Sequence, residues 1–150
     1  MEVEGNRGEP LVIEQTFDAP IWPVWNAITD KDEMRQWYFD LKEFKAEIGF
    51  QTQFDVDNNG VAYTHIWRVT EVVPLKKISY EWKYGGYPGN SLVSFELFAK
   101  GNKTGIKLTH ERLDTFLPAV NPALAKENFI QGWTRFIGTN LKEFVENKQK

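Results

Sequence analysis

The side chains best suited to moving a proton are the two histidines, His65 and His110. Imidazole is the group whose unperturbed pKa lies near physiological pH, and an inward His beside a bound carbonyl suits proton shuttling of the cyclase or dehydratase kind. The two stand alone in the chain. No His-Glu-x-x-His pattern and no Cys accompanies them, so the sequence offers no metal-ligand set, no thiolate nucleophile and no disulfide. A lone inward His is more often a satisfied core group than a catalyst. No catalytic residue is therefore assigned; if a proton is moved at all, His110 is the first candidate and His65 the second.

Other chemistry-bearing patterns fail on their details. Asp55-Val56-Asp57-Asn58-Asn59-Gly60 places oxygens at alternate positions, like the first half of a calcium loop, but Ile66 stands where the bidentate Glu belongs. Asn-Gly instead supplies the positive-φ pair of a tight hairpin turn. Ser79, Ser91 and Ser94 lie in no Gly-x-Ser-x-Gly frame, and the strand phase of Ser79 and Ser94 is opposite to that of their apolar neighbours. Gly85, Gly86 and Gly89 lack the Lys-Ser/Thr of a phosphate cradle, which leaves a loop and no expected cofactor.

Composition narrows the classes further. The 18 Lys and Arg against 21 Asp and Glu give a net charge of -3, so no positive field exists to draw a nucleic acid. No apolar run reaches membrane-spanning length and the start lacks a signal-peptide pattern, so a soluble cytoplasmic protein with no membrane partner is expected. Six Trp, five Tyr and eleven Phe, 15% of the chain, are a large aromatic content for 150 residues.

The elements that position these rings are read from period. Residues 1–10 form a loose lead-in to a single domain over 11–147. Leu11 to Phe17 reads as a strand. Asp18 and Pro20 then open a short helix through Trp25 and Ile28, and Thr29 or Asp30 caps a second carrying Met34, Trp37 and Tyr38. Alternation follows at Phe44-Ala46-Ile48, Phe50-Thr52-Phe54, Tyr63-His65-Trp67-Val69, Ile78-Tyr80-Trp82, Val93-Phe95-Leu97 and Ile106-Leu108-His110, a meander of antiparallel strands. Asn121-Pro122 is a helix-start signature, and Phe129, Trp133, Phe136 and Phe144 continue at helical spacing, with Gly132 marking close packing or a mild bend. The fold expected is α+β, a curved antiparallel sheet of about seven strands wrapped around a long C-terminal helix, with two short helices after the first strand. The space between sheet and helix is the natural cavity.

Several stretches carry a family resemblance. They are Phe17 to Pro20 with Val24 to Asp30, Met34 to Trp37, Ile48-Gly49-Phe50, Val69 to Pro74 running into Ile78 to Trp82, Thr104 to His110, and the helix from Gly132 to Leu141. The chain resembles the START-like (SRPBCC, birch-pollen-allergen-like helix-grip) superfamily. Within it the chain resembles the family of the C-terminal domain of the activator of heat-shock-protein-90 ATPase. The resemblance implies a helix-grip fold over nearly the whole chain, and Trp67 replaces a glycine common in the family. It also implies a chaperone of the heat-shock-protein-90 class as a second candidate partner.

The leading expectation is non-enzymatic binding of a hydrophobic or aromatic small molecule, a lipid among them, between sheet and helix. Its walls are Trp37, Trp67, Tyr80, Trp82, Phe95, Phe129 and Trp133, with His110 as a polar anchor. Arg112, Lys126, Glu127 and Arg135 are placed near the entrance. Two alternatives accompany it: a chaperone co-factor, and a cyclase-like enzyme using an inward His. Exposed edge strands leave monomer and homodimer both open.

Overall fold

The computed structural model describes residues 9–148; most of the lead-in expected over residues 1–10 lies outside them. Six strands form one open antiparallel sheet in the order β1-β6-β5-β4-β3-β2. They are β1 (Leu11–Phe17), β2 (Gln51–Asn58), β3 (Val61–Val73), β4 (Lys77–Tyr84), β5 (Ser91–Lys100) and β6 (Lys103–Glu111). Helices α1 (Ile21–Thr29) and α2 (Lys31–Trp37) follow β1, and the chain closes with α3 (Lys126–Arg135), a π-helical turn (Phe136–Leu141) and α4 (Lys142–Asn147). This is the α+β, helix-grip order that the periodicity implies, with one strand fewer.

The missing strand is Phe44–Ile48. Phe44 is buried, but Ile48 is 71% exposed, and the segment forms no ladder. A two-bond clasp, Gly49 N–H to Val69 O and Val69 N–H to Phe50 O, joins the chain to β3 only where β2 is about to begin. Alternation without a partner strand does not make a strand. The hairpin expected at Asn59-Gly60 is present: Asn58 pairs with Val61 across a two-residue loop with φ of 55° and 85°, the positive pair that matches strand twist.

Helix starts differ from their sequence signals. Pro20 occupies the N-cap of α1 without a side-chain bond. Asp18 instead donates its backbone N–H to the Glu146 carboxylate at 2.8 Å, tying the end of β1 to α4. Asp30 does cap α2, accepting from Glu33 N–H. Asn121-Pro122 begins a three-residue 3₁₀ turn, and the long helix starts at Lys126.

Along that terminal helix Phe129, Trp133, Ile137, Leu141 and Val145 are buried, every fourth residue. On a 3.6-residue turn such a spacing drifts by about 40° per step. The π-helical turn over Phe136–Leu141, wider by one residue per hydrogen bond, takes up the drift. Gly132 is neither tightly packed nor an end: a Cβ built on it would meet nothing within 4 Å.

The inner sheet face follows the expected phases. Trp67 opposes Trp82, Val69 opposes Tyr80 and His65 opposes Tyr84 across β3 and β4, while Val93 opposes His110 and Phe95 opposes Leu108 across β5 and β6. Ser79 and Ser94 lie on the other phase, as expected, and their hydroxyls bond each other at 2.8 Å.

Candidate functional site

A groove with a cavity volume of about 390 Å³ lies between the sheet and the terminal helix, at the end of the sheet formed by the β2–β3 hairpin. Tyr63 and His65 of β3 and Trp82 and Tyr84 of β4 form its sheet wall. Phe129, Trp133 and Phe136 form the helix wall, with Gly132 between them. Phe39, just past α2, lies at 5.1 Å from Phe136 and 5.8 Å from Trp82, centroid to centroid, and joins the two walls. Asp57 and Asn58 from the hairpin and Asn128 and Arg135 from the helix supply polar lining. The volume falls within the usual range for small-molecule sites, about 300–1,000 Å³.

Of the rings singled out from sequence, Trp82, Phe129 and Trp133 line this groove. Trp37, Trp67, Tyr80 and Phe95 are equally buried but belong to the packed core beside it. The reason is Tyr38. Its ring stacks on Trp37 at 4.6 Å and on Trp67 at 5.4 Å, and its hydroxyl meets that of Tyr80 at 2.6 Å. One side chain from the α2 terminus thus fills the space that the inward rings of mid-sheet would otherwise surround. Burial holds both phenols well above the usual tyrosine range, with the mutual contact adding to the rise at Tyr38 and opposing it at Tyr80, so the pair stays neutral. Trp67, at the position where the resemblance points to glycine, makes this core solid. Trp37 is pinned by an indole N–H donated to Ala27 O at 2.8 Å.

His110 is 0% exposed and has both ring nitrogens occupied. Trp133 donates its indole N–H to Nδ1 at 3.0 Å, which makes Nδ1 an acceptor and places the ring proton on Nε2. Nε2–H then donates to Ser91 Oγ at 2.8 Å, and Ser91 passes its own proton to Trp82 O at 2.7 Å. Burial lowers the pKa to about 3. His110 is thus a neutral brace joining helix, β6, β5 and β4, the satisfied core group of the bland expectation, and it does not line the groove.

His65 is 6% exposed and does line it. Its Nδ1 lies 3.0 Å from Tyr63 O. Desolvation lowers its pKa to about 4, opposed by the bond to Tyr63 and by Asp55. Burial also drives the Tyr84 phenol upward, so that wall is uncharged at neutral pH.

Of the four charged residues placed at an entrance, Arg135 reaches the groove, while Lys126 donates to Glu9 O instead. Sequence reasoning passed over Tyr84, Phe136 and Phe39 as site residues. Tyr84 extends the Tyr80-Trp82 alternation by one step, and Phe136 sits three residues past Trp133; both signals were present. Phe39 follows the helix in irregular chain and has none. Among the described residues no group of three or more His, Asp or Glu is arranged to hold a metal, and no helix is long and apolar enough to cross a membrane.

Solved structures share this fold at low identity. Protein CV1439 from Chromobacterium violaceum superposes with a TM-score of 0.76 at 19% identity, covering 91% of this chain and 96% of that one. MLL2253 from Mesorhizobium loti gives 0.75 at 21%, covering 93% and 98%. DynU16, from the dynemicin biosynthetic locus, gives 0.72 at 20%, covering 93% of this chain and 48% of that one, so this chain spans about half of DynU16. No curated protein matches the sequence. The family described as Activator of Hsp90 ATPase homolog 1-like protein matches residues 18–146, in keeping with the resemblance carried by the sequence words and with the helix-grip order of strands and helix, and the chain belongs to that family.

Proposed function

We propose that the protein binds a hydrophobic or aromatic small molecule in the groove between β3–β4 and α3, without transforming it. The observation that carries this reading is the groove itself: aromatic walls on both sides remain unfilled next to Gly132, where a side chain would otherwise project. Its lining is chiefly uncharged rings, suited to excluding water from a flat guest. His110, the first candidate for moving a proton, has both ring nitrogens committed within the core, which favours binding over turnover.

The test is titration of the purified protein with 2-naphthol, followed by intrinsic Trp fluorescence and by calorimetry. Saturable one-site binding, with quenching that is reduced when Trp82 is replaced by Phe, is the expected result. Absence of saturable binding by 2-naphthol and by naphthalene up to their solubility would overturn the reading.

A further inference from the structure

His65 is held in one tautomer and has one nitrogen unused. Nδ1 faces the Tyr63 carbonyl oxygen, which only accepts, so Nδ1 carries the proton and Nε2 presents a lone pair. Nε2 has no hydrogen-bond partner among the described residues. The ring cannot easily turn to find one: it stacks on Phe54 at 5.1 Å and 21°, meets Tyr84 edge-on at 4.7 Å, and has Phe39 at 5.2 Å and Trp82 at 5.4 Å. His65 lines the groove and is 6% exposed, so this acceptor is open to a donor from water or from a guest.

We infer that the guest of this groove is a planar aromatic molecule bearing a ring hydroxyl, a phenol-class donor, and that the hydroxyl donates to His65 Nε2. The inference rests on the groove being a small-molecule site and names what that site selects. An acceptor-only guest would set two lone pairs against each other at this nitrogen. A neutral hydroxyl on a flat ring satisfies both the walls and the nitrogen. The imidazole is neutral near pH 7, because burial holds its pKa at about 4, so the lone pair is available where the protein operates.

The experiment compares three probes on the native chain and on His65→Phe: 2-naphthol, its methyl ether 2-methoxynaphthalene, and naphthalene. The ether keeps the oxygen but removes the donor, and naphthalene is smaller and lacks the group. Greater size or apolar area alone therefore cannot favour 2-naphthol over both. The expected result is that 2-naphthol binds the native chain about tenfold more tightly than either analogue, and that the preference falls to within about twofold in His65→Phe. In native protein the His65 Nε2 nitrogen NMR resonance should shift on adding 2-naphthol and not on adding the ether, a readout that does not depend on the variant folding. Equal binding of all three probes, or a preference that survives in a folded His65→Phe, would overturn the role of His65 while leaving the groove reading intact. Failure of every probe to bind would overturn both.

Discussion

Gly132 is where stability and occupancy of the groove can be set against each other. It lies inside α3, one turn from each end of the groove-lining stretch Phe129 to Phe136, and a Cβ there meets nothing within 4 Å. Replacing a helix-interior Gly by Ala is worth about 0.8–1.0 kcal/mol from backbone entropy and propensity. With no neighbour in reach, neither a clash nor a packing gain alters that figure. For a domain of this size the gain corresponds to roughly 2–4 °C in Tm. Gly132→Ala should therefore unfold at a higher urea midpoint with unchanged m-value. Gly132→Phe should carry a ring into the 390 Å³ space and weaken 2-naphthol binding by about tenfold or more, roughly 1.4 kcal/mol. Equilibrium urea unfolding and calorimetric titration of both variants read the two effects separately. A Gly132→Ala variant less stable than the native chain would refute the reasoning, because something would then occupy the position that the structure leaves open. Unchanged affinity in Gly132→Phe would place binding elsewhere.

The remaining expectations concern the core and its supports. Ser91→Ala removes the group that takes the His110 Nε2 proton and leaves a buried donor unpaired, at a cost of about 1–3 kcal/mol in urea unfolding; a cost below about 0.5 kcal/mol would mean the His110 brace carries little. Stability should fall on acidification. Both His pKa values drop on folding from 6.5, to about 4 for His65 and about 3 for His110. The unfolded chain therefore binds more protons, and each group's contribution, complete above pH 6.5, is lost as pH falls toward its folded value. Each adds a slope of about 1.4 kcal/mol per pH unit. The lowered Glu81 and Glu146 carboxyls act in the same sense below about pH 4.5. A flat urea midpoint between pH 6.5 and 4.5 would contradict the burial of the two imidazoles. At the hairpin, Gly60 has φ of 85°, so Gly60→Val should destabilise by about 1 kcal/mol or more. An unchanged thermal midpoint would argue against that turn.

The sequence made the sheet legible because each strand buries one face, and period two then assigns Trp67, Tyr80, Trp82 and His110 inward without knowledge of their partners. It was legible at Asn59-Gly60 because the turn's backbone geometry restricts the residues that can form it. It misled at Phe44–Ile48, where the alternation was present but a pairing strand was not, and at Asp18, whose backbone is claimed by a carboxylate 128 positions away. The site was only half legible. Phase says that a ring points inward, but not whether another side chain has already filled the space before it. Tyr38 does so for Trp67 and Tyr80 but leaves Trp82 in the wall of the groove. That distinction is set by the path of the irregular chain after α2, where Phe39 turns toward the groove and no periodicity announces it. His65 and His110 illustrate the same limit. Both were assigned to the inner face, and the difference between a brace and an open acceptor came from Trp133 and Ser91, which reach one and not the other.

The π-helical turn divides labour along the terminal helix. Upstream of it, Phe129, Gly132 and Trp133 face the groove; downstream, Glu146 holds Asp18 and Lys148 pairs with Glu33 at 2.7 Å. Rewinding residues 136–141 as ordinary α-helix with no residue removed would turn everything after them by about 100°, carrying Val145 off the core and Glu146 away from β1. The helix thus carries a wall and an anchor along one buried stripe. Because the wide turn keeps that stripe in line, the anchor at Glu146 and Lys148 holds the groove wall against the rest of the fold.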